Sequence, residues 1–126
     1  MFKCQQHISL VTQDVESARA FYEALGGKVI AELKRKDGSG VNYLLETVDG
    51  ANIEIQLPRF PGDPKPNYWD HLAMEVENCE EACNAAVSAG ARLEKPPTPG
   101  NFGGRPIINS VLYGPGGEKL EFIQFT

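Results

Sequence analysis

"HISLVTQDVESARAFYEALGGKVI", residues 7–30, decides the fold, because "HLAMEVENCEEACNAAVSAGARLE", residues 71–94, repeats it without a gap. His7 meets His71, Glu16 meets Glu80, Ala18 meets Ala82 and Gly26 meets Gly90. Each stretch opens with an apolar run of strand character. Asp14 and Asn78 stand where a helix N-cap accepts from the first unpaired N–H groups, and Gly26 and Gly90 stand where a helix ends in a left-handed residue. Between the first two of these, Val15, Ala18, Phe21, Tyr22 and Leu25 recur at helical spacing, which predicts one amphipathic helix per stretch.

The later parts of the two halves align as well. "VNYLLETVDGANIEI" (residues 41–55) lies over "INSVLYGPGGEKLEF" (residues 108–122), so that Asn42 meets Asn109, Leu45 meets Leu112, Gly50 meets Gly117 and Glu54 meets Glu121. The offset grows slightly toward the C-terminus, and an insertion in "KPPTPGNFGGRP" (residues 95–106), read as a Gly- and Pro-rich loop, accounts for it. "KRKDGSG" (residues 34–40), "VDGAN" (residues 48–52) and "YGPGGE" (residues 113–118) carry hairpin-turn signals. "PRFPGDPKPN" (residues 58–67) breaks helix and central strand alike and reads as a linker. Each half is then strand, helix and three further strands. A half alone is marginal for independent folding, so the expected architecture is a single α+β domain over residues 1–126. It is built from tandem βαβββ modules at about 1–57 and 68–126.

Composition narrows the function classes. The chain has 126 residues, 41% hydrophobic and 23% charged, as in an ordinary globular protein. No apolar run approaches the roughly 18 residues of a membrane span, and Met1 to Leu10 lacks the apolar core and cleavage site of a signal peptide, so a cytoplasmic protein with no membrane partner is expected. The net charge of −5 and a longest basic run of only "KRK" argue against nucleic acid, whose phosphates demand a basic face. Cys4, Cys79 and Cys83 lack zinc spacing and read as free thiols, with Cys4 as buried filler.

Strand alternation assigns faces. In "HISL", Ile8 and Leu10 share one face while His7 and Ser9 share the other, and "HLAMEV" repeats this with Leu72, Met74 and Val76 opposite His71, Ala73 and Glu75. In "NIEIQL", Glu54 and Gln56 oppose Ile53, Ile55 and Leu57, and in "KLEFIQF", Glu121 opposes Leu120 and Phe122. The larger apolar face is the one a helix covers. His7, Glu54, His71 and Glu121 then point away from the helices, and if the first and fourth strands of each half are neighbours, each half offers one imidazole and one carboxylate. Two of each make a mixed N/O site for a divalent ion. They are the only histidines of the chain, and buried carboxylates are costly unless something neutralises them.

With its "FY" and "LGG" at residues 21–22 and 25–27 and its closing "YGPGGEKLEFIQ" at residues 113–124, the chain resembles the vicinal oxygen chelate superfamily, the glyoxalase I, bleomycin-resistance and extradiol-dioxygenase group. The resemblance covers nearly the whole chain. It implies the glyoxalase/bleomycin resistance fold, with curved mixed sheets around a metal-binding groove. It also implies metal ligands on the first and last strands of each module, here His7, Glu54, His71 and Glu121. This ligand set is similar to that of glyoxalase I, and methylmalonyl-CoA epimerase differs by Gln at the second acid position. After His7 and after Glu54, the Arg and Asn that bacterial glyoxalase I associates with glutathione have no counterpart.

The resemblance accordingly implies a metal-dependent lyase or isomerase of glyoxalase I type (lactoylglutathione lyase-like). Such an enzyme moves a proton next to a carbonyl through a metal-bound enediolate, with Glu121 and Glu54 as catalytic carboxylates and Ni, Zn, Co or Mn as the ion. The alternatives are a methylmalonyl-CoA epimerase-like isomerase, an extradiol-type dioxygenase, or a non-enzymatic antibiotic- or small-ligand-binding protein. The partner is a small oxygenated molecule, with a glutathione or other thiol adduct as one form, and a homodimer is the usual family outcome. Trp69, Phe102 and Arg105 are expected to contribute to the substrate wall.

Overall fold

The computed structural model describes residues 1–47, 50–58, 67–114 and 117–126. The chain runs β1 (Phe2–Thr12), α1 (Val15–Ala24), β2 (Lys28–Lys34), β3 (Val41–Glu46), β4 (Asn52–Gln56), β5 (Asn67–Val76), α2 (Cys79–Ser88), β6 (Arg92–Phe102), β7 (Arg105–Tyr113) and β8 (Lys119–Phe125). This is strand, helix and three strands, twice. Most of the expected linker, and the tips of the expected turns at "VDGAN" and "YGPGGE", lie outside the described residues. The chain divides into two compact units, His7–Asp70 and Met1–Gln6 with His71–Thr126, called here the N-terminal and C-terminal units.

Within the N-terminal unit the strands run in the order β2-β3-β4-β1. The neighbours β2, β3 and β4 are antiparallel, while β1 lies parallel to β4 with Ser9 opposite Glu54. The C-terminal unit repeats the pattern as β5-β8-β7-β6, with β5 parallel to β8 and Ala73 opposite Glu121. First and fourth strands are therefore neighbours in both units.

The helices begin and end as the sequence predicts. Asp14 accepts from the Ser17 N–H at 3.0 Å, and Asn78 accepts from the Glu81 N–H at 3.0 Å. At the other end Gly26 and Gly90 take φ of 100° and 116°. There the Gly27 N–H reaches the Tyr22 carbonyl and the Ala91 N–H reaches the Ala86 carbonyl, each at 2.9 Å. With Gly26 N–H on the Glu23 carbonyl and Gly90 N–H on the Val87 carbonyl, both ends are Schellman motifs.

Each helix covers the apolar face of its own strands. Val15 joins Tyr43, Leu45 and Ile55, with Ala18 and Tyr22 packed beside them. In the other unit Cys79, Ala82 and Cys83 join Val76, Leu112 and Phe122. Phe21 and Leu25 depart from the helical pattern and point outward, 59% and 68% exposed. The apolar packing against the strands uses the narrow stripe of Val15, Ala18 and Tyr22. On the flank of that stripe Arg19 lies over the Tyr43 ring at 4.9 Å, between Glu16 and Glu23.

Two further expectations are corrected. The stretch read as a loop, residues 95–106, is a hairpin: β6 continues to Phe102, and Gly103-Gly104 makes a two-residue turn with φ of 59° and 87° before β7. A Gly-Gly pair is a hairpin signal in its own right. The prolines at 96, 97 and 99 are tolerated because β6 ends its sheet order, where a missing N–H breaks few ladder bonds. Cys4 is exposed rather than buried, its thiol donating to Glu75 at 3.2 Å. Cys79 and Cys83 are the buried pair, both donating to Ser110 Oγ, and burial pushes the Cys79 thiol up to about 11.

Replacing Gly26 or Gly90 with Ala is expected to cost about 1–2 kcal/mol each, because a Cβ is disfavoured in the left-handed region, with equal effects at the two equivalent ends by chemical denaturation. A thiol reagent at pH 8 is expected to modify one cysteine in the native protein, Cys4, and all three after unfolding; rapid native labelling of Cys79 or Cys83 would contradict the packing of α2.

Candidate metal and active site

Parallel pairing of first and fourth strands sets an imidazole beside a carboxylate in each unit. In the N-terminal unit His7, 1% exposed, holds Nε2 at 3.7 Å from Glu54 Oε1. In the C-terminal unit His71 Nε2 stands 3.4 Å from Glu121 Oε1, both side chains largely buried. Each pair lies on the face away from its helix, since Ile55 and Phe122, the strand neighbours of Glu54 and Glu121, belong to the helix-facing cores.

The donor chemistry of each pair fits a divalent cation. A hydrogen bond between these atoms would settle near 2.7–3.2 Å, whereas two ligands each about 2.1 Å from one ion stand roughly 3–3.5 Å apart. Both separations are longer than a good hydrogen bond, and the C-terminal one falls in the range for neighbouring ligands. Neutral imidazole and carboxylate oxygen are ligands for Zn, Ni, Co or Mn.

Around Glu54 the face is polar and unusually underpaired. Ser9 Oγ, beside Glu54 in the register, and Asn52 Oδ1 and Gln56 Nε2, two residues to either side of it, are buried atoms without a hydrogen-bond partner among the described residues. Buried polar groups are normally paired, so three orphans flanking one carboxylate are an unusual cluster among the described residues. Gln56 also lines a shallow, open surface pocket of about 330 Å³ with Arg35, Lys36, Asp37 and Asn42. Arg35 is held there by its bonds to the Leu57 and Pro58 carbonyls, each at 3.1 Å.

Around Glu121 the polar groups are paired instead. Asn109 Nδ2 donates to Glu121 Oε2 at 2.8 Å, and Lys95 Nζ donates to Asn109 Oδ1 at 2.9 Å. Neither residue was singled out for the site from sequence, although the repeat alignment already sets Asn109 opposite Asn42 and Glu121 opposite Glu54. Ser9 and Gln56 were legible too, as the strand-alternation partners of His7 and Glu54.

The residues expected to wall the substrate behave differently from one another. Phe102 and Arg105 meet around Phe125, whose ring lies 3.9 Å from the Arg105 guanidinium and 6.3 Å from the Phe102 ring. That contact closes the end of the β6–β7 hairpin. Trp69 is 56% exposed on β5.

Comparisons with known proteins follow this geometry. The sequence profile of the Glyoxalase/Bleomycin resistance protein/Dioxygenase superfamily matches residues 5–122. Comparison with curated protein sequences finds no match. Among solved structures, a hypothetical protein from Bacillus halodurans superposes with a TM-score of 0.78 at 20% identity, covering 95% of this chain and 92% of its own. Methylmalonyl-CoA epimerase from Mycobacterium tuberculosis gives 0.78 at 18% identity, covering 98% of this chain and 88% of its own. A Streptomyces coelicolor methylmalonyl-CoA epimerase variant in complex with 2-nitronate-propionyl-CoA gives 0.77 at 16%, covering 98% of both. At these identities the structural likeness establishes the fold, while the profile spans nearly the whole chain. The chain belongs to the glyoxalase/bleomycin resistance protein/dioxygenase superfamily.

Proposed function

We propose that this protein is a metal-dependent isomerase that moves a proton on the carbon next to a thioester carbonyl, in the manner of a methylmalonyl-CoA epimerase. The observation that carries this reading is the duplicated buried His–Glu pair on the first and fourth strands of both units. Support for the acyl-CoA class comes from the solved structures of like fold, several of which are methylmalonyl-CoA epimerases.

In this reading His7 and His71 would serve as metal ligands through Nε2, with Glu54 and Glu121 each offering a carboxylate oxygen. When bound, a divalent ion supplies Lewis-acid polarisation of neighbouring substrate oxygens. The protein's residues do the rest. One carboxylate accepts the proton from the carbon next to the carbonyl, and the other, starting as the protonated acid and not as a ligand, gives its own proton to the opposite face, which inverts the centre. Gln56, on the wall of the adjoining pocket, is the polar residue beside Glu54 placed to meet substrate. The cavity beside Gln56, with Arg35 and Lys36 on its wall, receives the anionic end of the acyl carrier.

A glyoxalase I-type lyase is the second reading, favoured by one observation: both acid positions, Glu54 and Glu121, are carboxylates, where the epimerase pattern has one Gln. The two readings share the ion and the proton transfer and differ in substrate.

Protein loaded with Co²⁺, Ni²⁺, Zn²⁺ or Mn²⁺ and incubated in D2O with methylmalonyl-CoA is expected to exchange the α-proton, read by NMR. Glu54→Ala and Glu121→Ala are each expected to lower the rate by about 10²–10⁴-fold. Formation of S-lactoylglutathione from methylglyoxal and glutathione, with no exchange on the CoA ester, would move the assignment to the lyase. Lys36→Glu is expected to raise KM for the CoA ester several-fold with kcat little changed; an unchanged KM would remove the anionic end from that cavity.

A further inference from the structure

The C-terminal unit contains a polar chain running His71, Glu121, Asn109 and Lys95, with successive separations of 3.4, 2.8 and 2.9 Å. The sheet register explains why all three links are needed. Lys95, Val111 and Glu121 lie in one row across β6, β7 and β8. Strands are spaced about 4.8 Å apart, so Lys95 and Glu121 sit two spacings from each other in that row. Asn109, two residues along β7 from Val111 and on the same face, fills the gap with a donor on one side and an acceptor on the other. Its amide has one orientation in this arrangement: Nδ2 toward the carboxylate, Oδ1 toward the ammonium.

Lys95 reaches this face because β6 is irregular on both sides of it. Leu93 pairs with Leu112 on the α2 side, and in an unbroken strand Lys95 would pair with Ser110 on that same side. The register shifts between Leu93 and Lys95, so Lys95 pairs with Val111 and turns to the Glu121 face; a second shift between Lys95 and Thr98 follows. Bulges commonly serve to re-aim one side chain in this way. The prolines at 96 and 97, directly after Lys95, interrupt the ladder at the same place.

The matching asparagine of the N-terminal unit has another job. Asn42 Oδ1 accepts from the Leu57 N–H at 2.9 Å, securing the backbone at the end of β4. One repeat uses its asparagine on backbone and the other on a carboxylate.

We propose that Lys95 and Asn109 are positioning residues for Glu121. They clamp Oε2 and present Oε1 beside His71 Nε2, so that this half of the site is ordered before a divalent ion arrives. The proposal rests on the metal reading given above and deepens it. Groups that fix a ligating carboxylate raise affinity by removing the cost of ordering it on binding, and their loss typically lowers metal affinity about 10–100-fold.

The test is a Co²⁺ titration of metal-free wild type, Asn109→Ala, Lys95→Met, Lys95→Arg and Asn42→Ala. It reads the dissociation constant and the visible d–d spectrum, with thermal unfolding of each metal-free protein alongside. Asn109→Ala is expected to weaken binding about 10–100-fold and to shift the spectrum. Lys95→Met is expected to do so by about tenfold, and Lys95→Arg to restore wild-type affinity. Asn42→Ala is expected to lose thermal stability while keeping affinity and spectrum. Wild-type affinity and spectrum in Asn109→Ala would overturn the clamp, as would equal weakening in Asn109→Ala and Asn42→Ala. Should Asn109→Ala fail to fold, Lys95→Met, on the edge strand, decides alone: loss rescued by Arg sustains the proposal, and wild-type affinity overturns it. A wild type that binds no Co²⁺, Ni²⁺, Zn²⁺ or Mn²⁺ overturns the metal reading and the clamp together, which separates that failure from failure of the clamp alone.

Discussion

A carboxylate buried against an imidazole, on the face of a sheet opposite its helix, is the constraint on which the rest of each unit depends. Glu54 is 9% exposed and its partner His7 only 1%. An unneutralised carboxylate at such a position is costly, by several kcal/mol in most estimates for a buried ion. The parallel pairing of β1 with β4, and of β5 with β8, is what brings each histidine to its carboxylate. That pairing in turn needs a crossover connection, which the helix and the hairpin strands supply. The capped helix therefore does more than cover the apolar face: it is the connection that allows the first and fourth strands to lie side by side.

The repeat made much of this legible. His7 and His71, Glu54 and Glu121, the N-caps Asp14 and Asn78 and the terminating Gly26 and Gly90 all rest on local chemistry or on strand alternation, and both survive without knowledge of the neighbours. What was hidden depends on two strands at once. A bulge changes the face of every residue beyond it, so the turn of Lys95 toward Glu121 cannot be found by counting along β6 alone. The same holds for "KPPTP", whose prolines read as a loop until the strand is known to lie at an edge. The outward turn of Phe21 and Leu25 is a question of how wide a stripe the sheet can cover, which helical spacing does not determine.

The two units have diverged around the same scaffold. Near Glu54 the buried polar atoms Ser9 Oγ, Asn52 Oδ1 and Gln56 Nε2 face inward without protein partners among the described residues. Near Glu121 the polar groups are bonded to each other, ending in the Lys95 ammonium. A bonded arrangement of this kind suits a carboxylate that must stay where it is. Duplication supplied the four donor groups, and the residues beside them have diverged, with orphan polar atoms beside Glu54 and a bonded chain beside Glu121.

The central proposal is that the buried pairs His7–Glu54 and His71–Glu121 supply ligands for a divalent ion. The most direct measurement is anomalous diffraction at the metal absorption edge, from crystals of the protein loaded with Co²⁺ or Zn²⁺. The account predicts a strong peak with an imidazole nitrogen and a carboxylate oxygen of these pairs at about 2.0–2.2 Å. No peak there under saturating metal, or an ion bound by other residues, would contradict it.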